Sequence, residues 1–143
     1  MAGYCMIGNG RYDGVHKAAV ALKNGMFAQL NGVGGVIATS AAKDTKMQVE
    51  AKTTLWGMPA LEVRVLSVGE DEVFFVANEW DVDDNTGYDE ADYTVKIGDF
   101  VKMKRPEIGD KFIFTVENSL YSTLAALDTV QPAADGTVAK VGA

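Results

Sequence analysis

The sequence predicts a mainly β protein, a small single-domain β-barrel or β-sandwich with one short helix and an extended N-terminal arm. Three observations carry this. Apolar residues fall in short runs that mostly alternate with polar ones, the period-two signature of half-buried strands. Glycine turn dipeptides recur between the runs, as at Asn9-Gly10, Asn24-Gly25, Asn31-Gly32 and Asp135-Gly136, where positive φ closes a hairpin at no steric cost. The length, 143 residues, is that of about one domain.

Residues 1–19 are Gly-rich and show no periodicity, which sets them apart as an arm before a β domain at 20–143. Met26 to Leu30 lies between two Asn-Gly turns and is strand length. Val36 to Thr39 follows Gly34-Gly35 as another short strand, and Ser40 to Lys46 allows a single helical turn. Met47, Val49 and Ala51 alternate with Gln48, Glu50 and Lys52, and Leu61, Val63 and Val65 alternate with Glu62 and Arg64. Val73 to Ala77 is a continuous apolar run, the pattern of a strand buried on both faces. Tyr93, Val95 and Ile97 alternate again. Phe100 to Lys104 runs on into Arg105, and its three cations, Lys102, Lys104 and Arg105, read as a solvated strand face. Lys111 to Val116 alternates Phe112, Phe114 and Val116. Leu120, Leu124 and Leu127 stand at i, i+4 and i+7 behind Asn118-Ser119, which predicts a helix of about two to three turns capped by either residue. Thr137 to Val141 closes the chain as a strand. The sum is about seven to nine strands and one helix.

Composition narrows the function. The single cysteine, Cys5, excludes an intramolecular disulfide framework and fits a reducing compartment. No apolar run approaches the roughly 18 residues of a membrane-spanning helix, and glycines interrupt the first residues where a signal peptide would be apolar. Thirteen Lys and Arg against twenty Asp and Glu leave a net charge of −7. Phosphate recognition draws on Lys and Arg, so neither nucleic acid nor an anionic membrane is an expected partner. Seven of the twenty acids, Glu79, Asp81, Asp83, Asp84, Asp89, Glu90 and Asp92, lie between residues 79 and 92, and the rest of the chain is balanced.

No constellation assembles an active site. Asp81, Asp83 and Asn85 have the 1-3-5 spacing of a Ca²⁺ loop with Asp92 at position 12. The glycine stands at position 7 instead of 6, though, and position 12 is not Glu. The ordinary reading is a solvated acidic loop, with a Ca²⁺-binding module as the alternative. His16, the one histidine, has no ligand set for zinc and no nucleophile motif to serve; it reads as exposed or facing a partner. Gly8 to Gly14 lacks the Gly-Lys-Ser/Thr ending of a phosphate loop. Neither an enzyme nor a cofactor is expected.

The order of signals resembles that of small head decoration (capsid cement) proteins of tailed bacteriophages. Leu22 to Leu30 resembles their Asn-Gly-then-strand opening. Val73 to Ala77 leads into Asn78-Glu79-Trp80, followed by the acidic, Tyr-containing Asp83 to Tyr93. Gly109-Asp110-Lys111-Phe112 resembles their turn-then-aromatic strand, and Gln131-Pro132 with Asp135-Gly136-Thr137-Val138 their closing hairpin. The resemblance implies a structural virion protein, made in the host bacterial cytoplasm and bound to the capsid exterior. The partners it implies are the major capsid protein and, on the capsid surface, other copies of itself. It would stabilise the expanded lattice by binding across neighbouring capsomers. An acidic protein would then meet basic patches on the shell, and the arm would add a strand to a neighbour's sheet. Tyr4, Met6, Ile7 and Tyr12 are the expected apolar anchors, with Arg11, His16, Trp80 and Tyr88 also facing the partner. Another phage structural subunit, from the tail tube or head completion, shares the same small β style.

Overall fold

The computed structural model describes residues 3–7, 12–55, 57–77 and 94–141. Their strands are β1 (Gly3–Ile7), β2 (Tyr12–Asp13), β3 (Leu22–Lys23), β4 (Phe27–Leu30), β5 (Val36–Ala38), β6 (Lys46–Leu55), β7 (Met58–Ser67), β8 (Phe74–Val76), β9 (Thr94–Val95), β10 (Met103–Lys104), β11 (Lys111–Thr115), β12 (Thr129–Pro132) and β13 (Val138–Lys140), with one helix, α1 (Asn118–Thr123). A six-stranded sheet runs β1-β11-β7-β6-β12-β13, a five-stranded sheet β2-β10-β8-β4-β5, and β3 pairs with β9 alone. Every pairing between these strands is antiparallel. The fold is mainly β and sandwich-like; the closed barrel is not formed. Among the described residues no helix is long and apolar enough to cross a membrane.

The two large sheets meet over one core. The six-stranded sheet contributes Met47, Val49, Leu61, Val63, Val65, Phe112, Phe114 and Val130, and the five-stranded sheet contributes Phe27 and Phe75. A second core lies on the other face of the five-stranded sheet, where Ala28, Val36, Phe74, Val76 and Met103 meet Ala18, Leu22, Val95 and Val101. The β8 strand is therefore buried on both faces, as its unbroken apolar run predicts: Phe75 faces one core, Phe74 and Val76 the other.

The alternation in β6 is interrupted. Met47 pairs with Val65 and Val49 with Val63, but a register shift follows and Ala51 stands opposite Glu62. The extra residue is Glu50, whose carboxylate reaches Arg64 Nε at 3.1 Å and Lys111 Nζ at 3.2 Å. A bulge of this kind moves the following residues to the opposite face, so the period-two reading holds only as far as Val49. Helix α1 is shorter than the leucine spacing predicts. It ends at Thr123, no side chain caps its start, and Leu124 is buried from outside it. Leu127, at φ 74°, is exposed in the turn that enters β12. Residues 40–45 form no helical turn.

Asp44 joins that segment to the turn after β7. Its carboxylate accepts the N–H groups of Glu70 at 2.9 Å and Asp71 at 3.2 Å, and its own N–H donates to Asp71 Oδ2 at 3.0 Å. A Cβ on Gly69 would lie 1.9 Å from Asp44 Oδ2. Gly69→Ala should therefore expel the carboxylate and cost about 1–2 kcal/mol in urea unfolding. Adding Asp44→Ala to Gly69→Ala should cost little more; additive losses would show that the two do not act through the same clamp.

Candidate interaction surface

The surface that stands out is built on residues 13–19. The Asp13 carboxylate accepts the Val15 N–H at 3.0 Å and pairs with His16 Nδ1 at 2.9 Å, closing a tight turn after β2. Burial works to raise the Asp13 carboxyl, but the His16 hydrogen bond, the Val15 N–H and attraction to His16 together hold it below its ordinary value. Beyond this turn the backbone is tied on both sides. The Val101 N–H donates to His16 O at 3.0 Å, Ala18 N–H to Asp99 O at 2.8 Å and Gly98 N–H to Ala18 O at 2.9 Å. On the other flank Val36 N–H donates to Lys17 O and Ala19 N–H to Val36 O, both at 2.9 Å. Residues 16–19 thus extend the five-stranded sheet past β5 and cover the second core.

Alternation along this ladder decides what faces water. Ala18 and Val101 point inward and are buried, while Val15 is 76% and Phe100 57% exposed. Lys17 pairs with Phe100 across the ladder and holds its Nζ 5.2 Å from the ring centroid. Ile97, 70% exposed, sits in the Lys96–Asp99 turn, where Gly98 adopts φ 89°. Val33, 89% exposed, tips the β4–β5 turn, which Asn31 Oδ1 organises by accepting the Val33 and Gly35 N–H groups. That turn abuts the same segment, because a Cβ on Gly34 would lie 4.0 Å from His16 Cδ2. Isolated exposed apolar residues are ordinary, but a cluster on one face marks an interaction site. Here Val15 precedes His16, Phe100 pairs with Lys17, Val33 tips the turn whose Gly34 lies beside His16, and Ile97 occupies the turn at the other end of the same ladder.

Of the residues singled out from sequence, His16 lies at this face, half-buried against Asp13, and Tyr12 is in β2, paired with Lys104. Tyr4, Met6 and Ile7 lie elsewhere, in β1 at the edge of the six-stranded sheet, with Tyr4 opposite Ile113 and Ile7 opposite Lys111. Arg11, Trp80, Tyr88 and the proposed Ca²⁺ ligands Asp81, Asp83, Asn85 and Asp92 lie outside the described residues. Among the described residues no group of three or more His, Cys, Asp or Glu is placed to hold a metal. The four apolar residues of the face were not singled out, and Val33 carried a readable signal: an apolar side chain flanked by Gly32 and Gly34-Gly35 has no strand to bury it.

The solvated-face reading of Lys102, Lys104 and Arg105 is corrected at one position. Lys104 is fully buried and ion-paired with Asp110, whose carboxylate also accepts the Glu107 N–H at 3.0 Å. Away from this ladder, an open groove of about 970 Å³ beside α1 is lined by Met58, Pro59, Val116, Leu120, Val138 and Lys140 among others. Its lining contains no histidine, cysteine or carboxylate pair.

No family model, curated protein or solved structure matches this chain.

Proposed function

We propose that the protein is a structural virion protein, a decoration or cement subunit that binds the outer surface of a tailed-phage head and stabilises the major capsid protein lattice. The observation that carries the reading is the apolar face formed by Val15, Val33, Ile97 and Phe100, held by a backbone that is hydrogen bonded on both flanks. Such a preorganised, water-exposed apolar surface suits docking on a fixed partner, since little ordering entropy is lost on binding. The order of turns and strands that resembles head decoration proteins supplies the partner's identity.

Mixing the purified protein with expanded, undecorated heads and sedimenting them tests this. The protein should co-sediment at micromolar concentration and raise the temperature at which the heads disrupt. Phe100→Ser should reduce binding at least tenfold. Failure of the wild-type protein to co-sediment, or its assembly into tubes by itself, overturns the decoration reading.

A further inference from the structure

We infer that Asn31 is a self-modifying site: its carboxamide cyclises onto the Gly32 peptide nitrogen and reopens chiefly as isoaspartate, which remodels the turn carrying Val33. This is independent of the head-binding reading. The reaction needs a side-chain carboxamide beside a main-chain nitrogen free to attack it, and glycine, without a Cβ, gives that nitrogen its easiest approach. Two Asn-Gly pairs lie among the described residues, Asn24-Gly25 and Asn31-Gly32, while Asn9-Gly10 lies outside them. The fold treats the two oppositely. Asn24 is 3% exposed, and the Gly25 N–H donates to Val76 O at 2.9 Å, so its nucleophile is tied to β8. Asn31 is exposed, and the Gly32 N–H has no acceptor among the described residues.

The turn also prepares the electrophile. Asn31 N–H donates to Gly35 O at 2.9 Å and closes the loop. Within it Asn31 Oδ1 accepts the Val33 N–H at 3.1 Å and the Gly35 N–H at 3.0 Å, and the first of these bonds closes a ring around the Gly32 peptide. Gly35 leaves room for the carboxamide, since a Cβ there would lie 2.8 Å from Asn31 Nδ2. Two N–H groups on one carbonyl oxygen stabilise the negative charge that oxygen gains when its carbon is attacked. Nothing lies within 4 Å of a Cβ built on Gly32, so its peptide is free to swing toward Cγ. The Gly32 nitrogen loses its proton to solvent and bonds to Cγ, the Cγ–Nδ2 bond breaks, and Nδ2 leaves as ammonia. Water then opens the succinimide. Addition at the Asn31 main-chain carbonyl breaks that carbon's bond to the Gly32 nitrogen, and the chain continues through Cγ. The sum is amide plus water giving carboxylic acid plus ammonia, with no oxidation or reduction. The product has one more carbon in the main chain and a new negative charge, directly before Val33.

Peptide mapping by mass spectrometry tests this on the intact protein, held for several weeks at physiological temperature in mildly alkaline buffer and, in parallel, in unfolding urea. In the folded protein the mass gain of amide-to-acid conversion should accumulate at Asn31 faster than at Asn24 by about tenfold or more, because Asn24 reacts only when the structure around it opens locally. In urea the two sites should react at similar rates, since both precede glycine. Isoaspartate should exceed aspartate at Asn31, and in that product the Val33 and Gly35 amide resonances should move well beyond their positions in Asn31→Asp, which adds the charge without lengthening the main chain. Asn24 keeping pace with Asn31 in the folded protein, or Asn31 staying intact there while the urea sample reacts, overturns the inference. Isoaspartate at Asn31 with Val33 and Gly35 resonances matching those of Asn31→Asp overturns the remodelling of the turn.

Discussion

Asp110→Ala should destabilise the domain by about 3–5 kcal/mol, because it strands a fully buried ammonium with no countercharge. At this chain length that corresponds to a melting temperature lower by about 10–15 °C. Two losses combine. The Lys104 Nζ loses its carboxylate, and the Glu107 N–H loses its acceptor in the turn that leads into β11. That turn is anchored to β7 by Gly109 N–H donating to Val65 O and Val65 N–H donating to Asp110 O, both at 2.9 Å, so its loosening should spread into the main core. Lys104→Met removes the charge and keeps most of the apolar stem, but it leaves Asp110 buried with the Glu107 N–H alone. The double variant Lys104→Met, Asp110→Ala should cost distinctly less than the two single losses added, since no unpaired charge remains. Additive losses in a denaturant double-mutant cycle would mean that the two groups do not stabilise one another.

That ion pair also shows where reading the sequence stops. Period-two alternation located β7 and β11, because burial of alternate side chains is what writes that pattern, while the flanking Asn-Gly turns located β4 and an unbroken apolar run located β8, which is buried on both faces. Lys104 breaks the correspondence: a lysine in a strand normally marks the wet face, and nothing local announces an aspartate six residues later, across a turn, that makes its burial tolerable. Glu50 is a similar case, since a bulge leaves the alternation intact in the sequence while shifting the pairing. The leucines at 120, 124 and 127 have helical spacing, yet Leu124 reaches the core after the helix has ended, because the chain must turn at Leu127 to enter β12. The two-residue strands β2, β3, β9 and β10 are too short to carry a period. The apolar face was hidden for a related reason. Ile97 and Phe100 fit a strand pattern as well as core residues do, and only the ladder between residues 16–19 and 98–101 decides that Val101 turns inward and Phe100 outward.

Phe75 and Phe100 make that distinction measurable. Phe75 is the centre of the main core: its ring stacks on Phe112 with centroids 4.3 Å apart and planes at 18°, meets Phe27 edge-on at 5.4 Å, and lies tilted against Phe114 at 6.2 Å. These four rings come from β4, β8 and β11, so they join the two large sheets directly. Phe75→Ala should cost about 3–5 kcal/mol through lost burial and the cavity left behind, with some further loss of ring–ring contact. Phe75→Leu should cost much less, since it keeps most of the volume. Phe100 is 57% exposed with the Lys17 ammonium 5.2 Å from its ring centroid, and Phe100→Ser should change stability by no more than about 0.5 kcal/mol. The two residues should separate fold from function: Phe75→Ala lowers the melting temperature by about 10 °C or more, whereas Phe100→Ser leaves it near wild type and weakens binding to heads. Equal destabilisation by both would place Phe100 within the folding core and remove the apolar face as a binding surface. Loss of head binding by Phe100→Ser at unchanged stability is the result that a docking face requires and a core residue cannot produce.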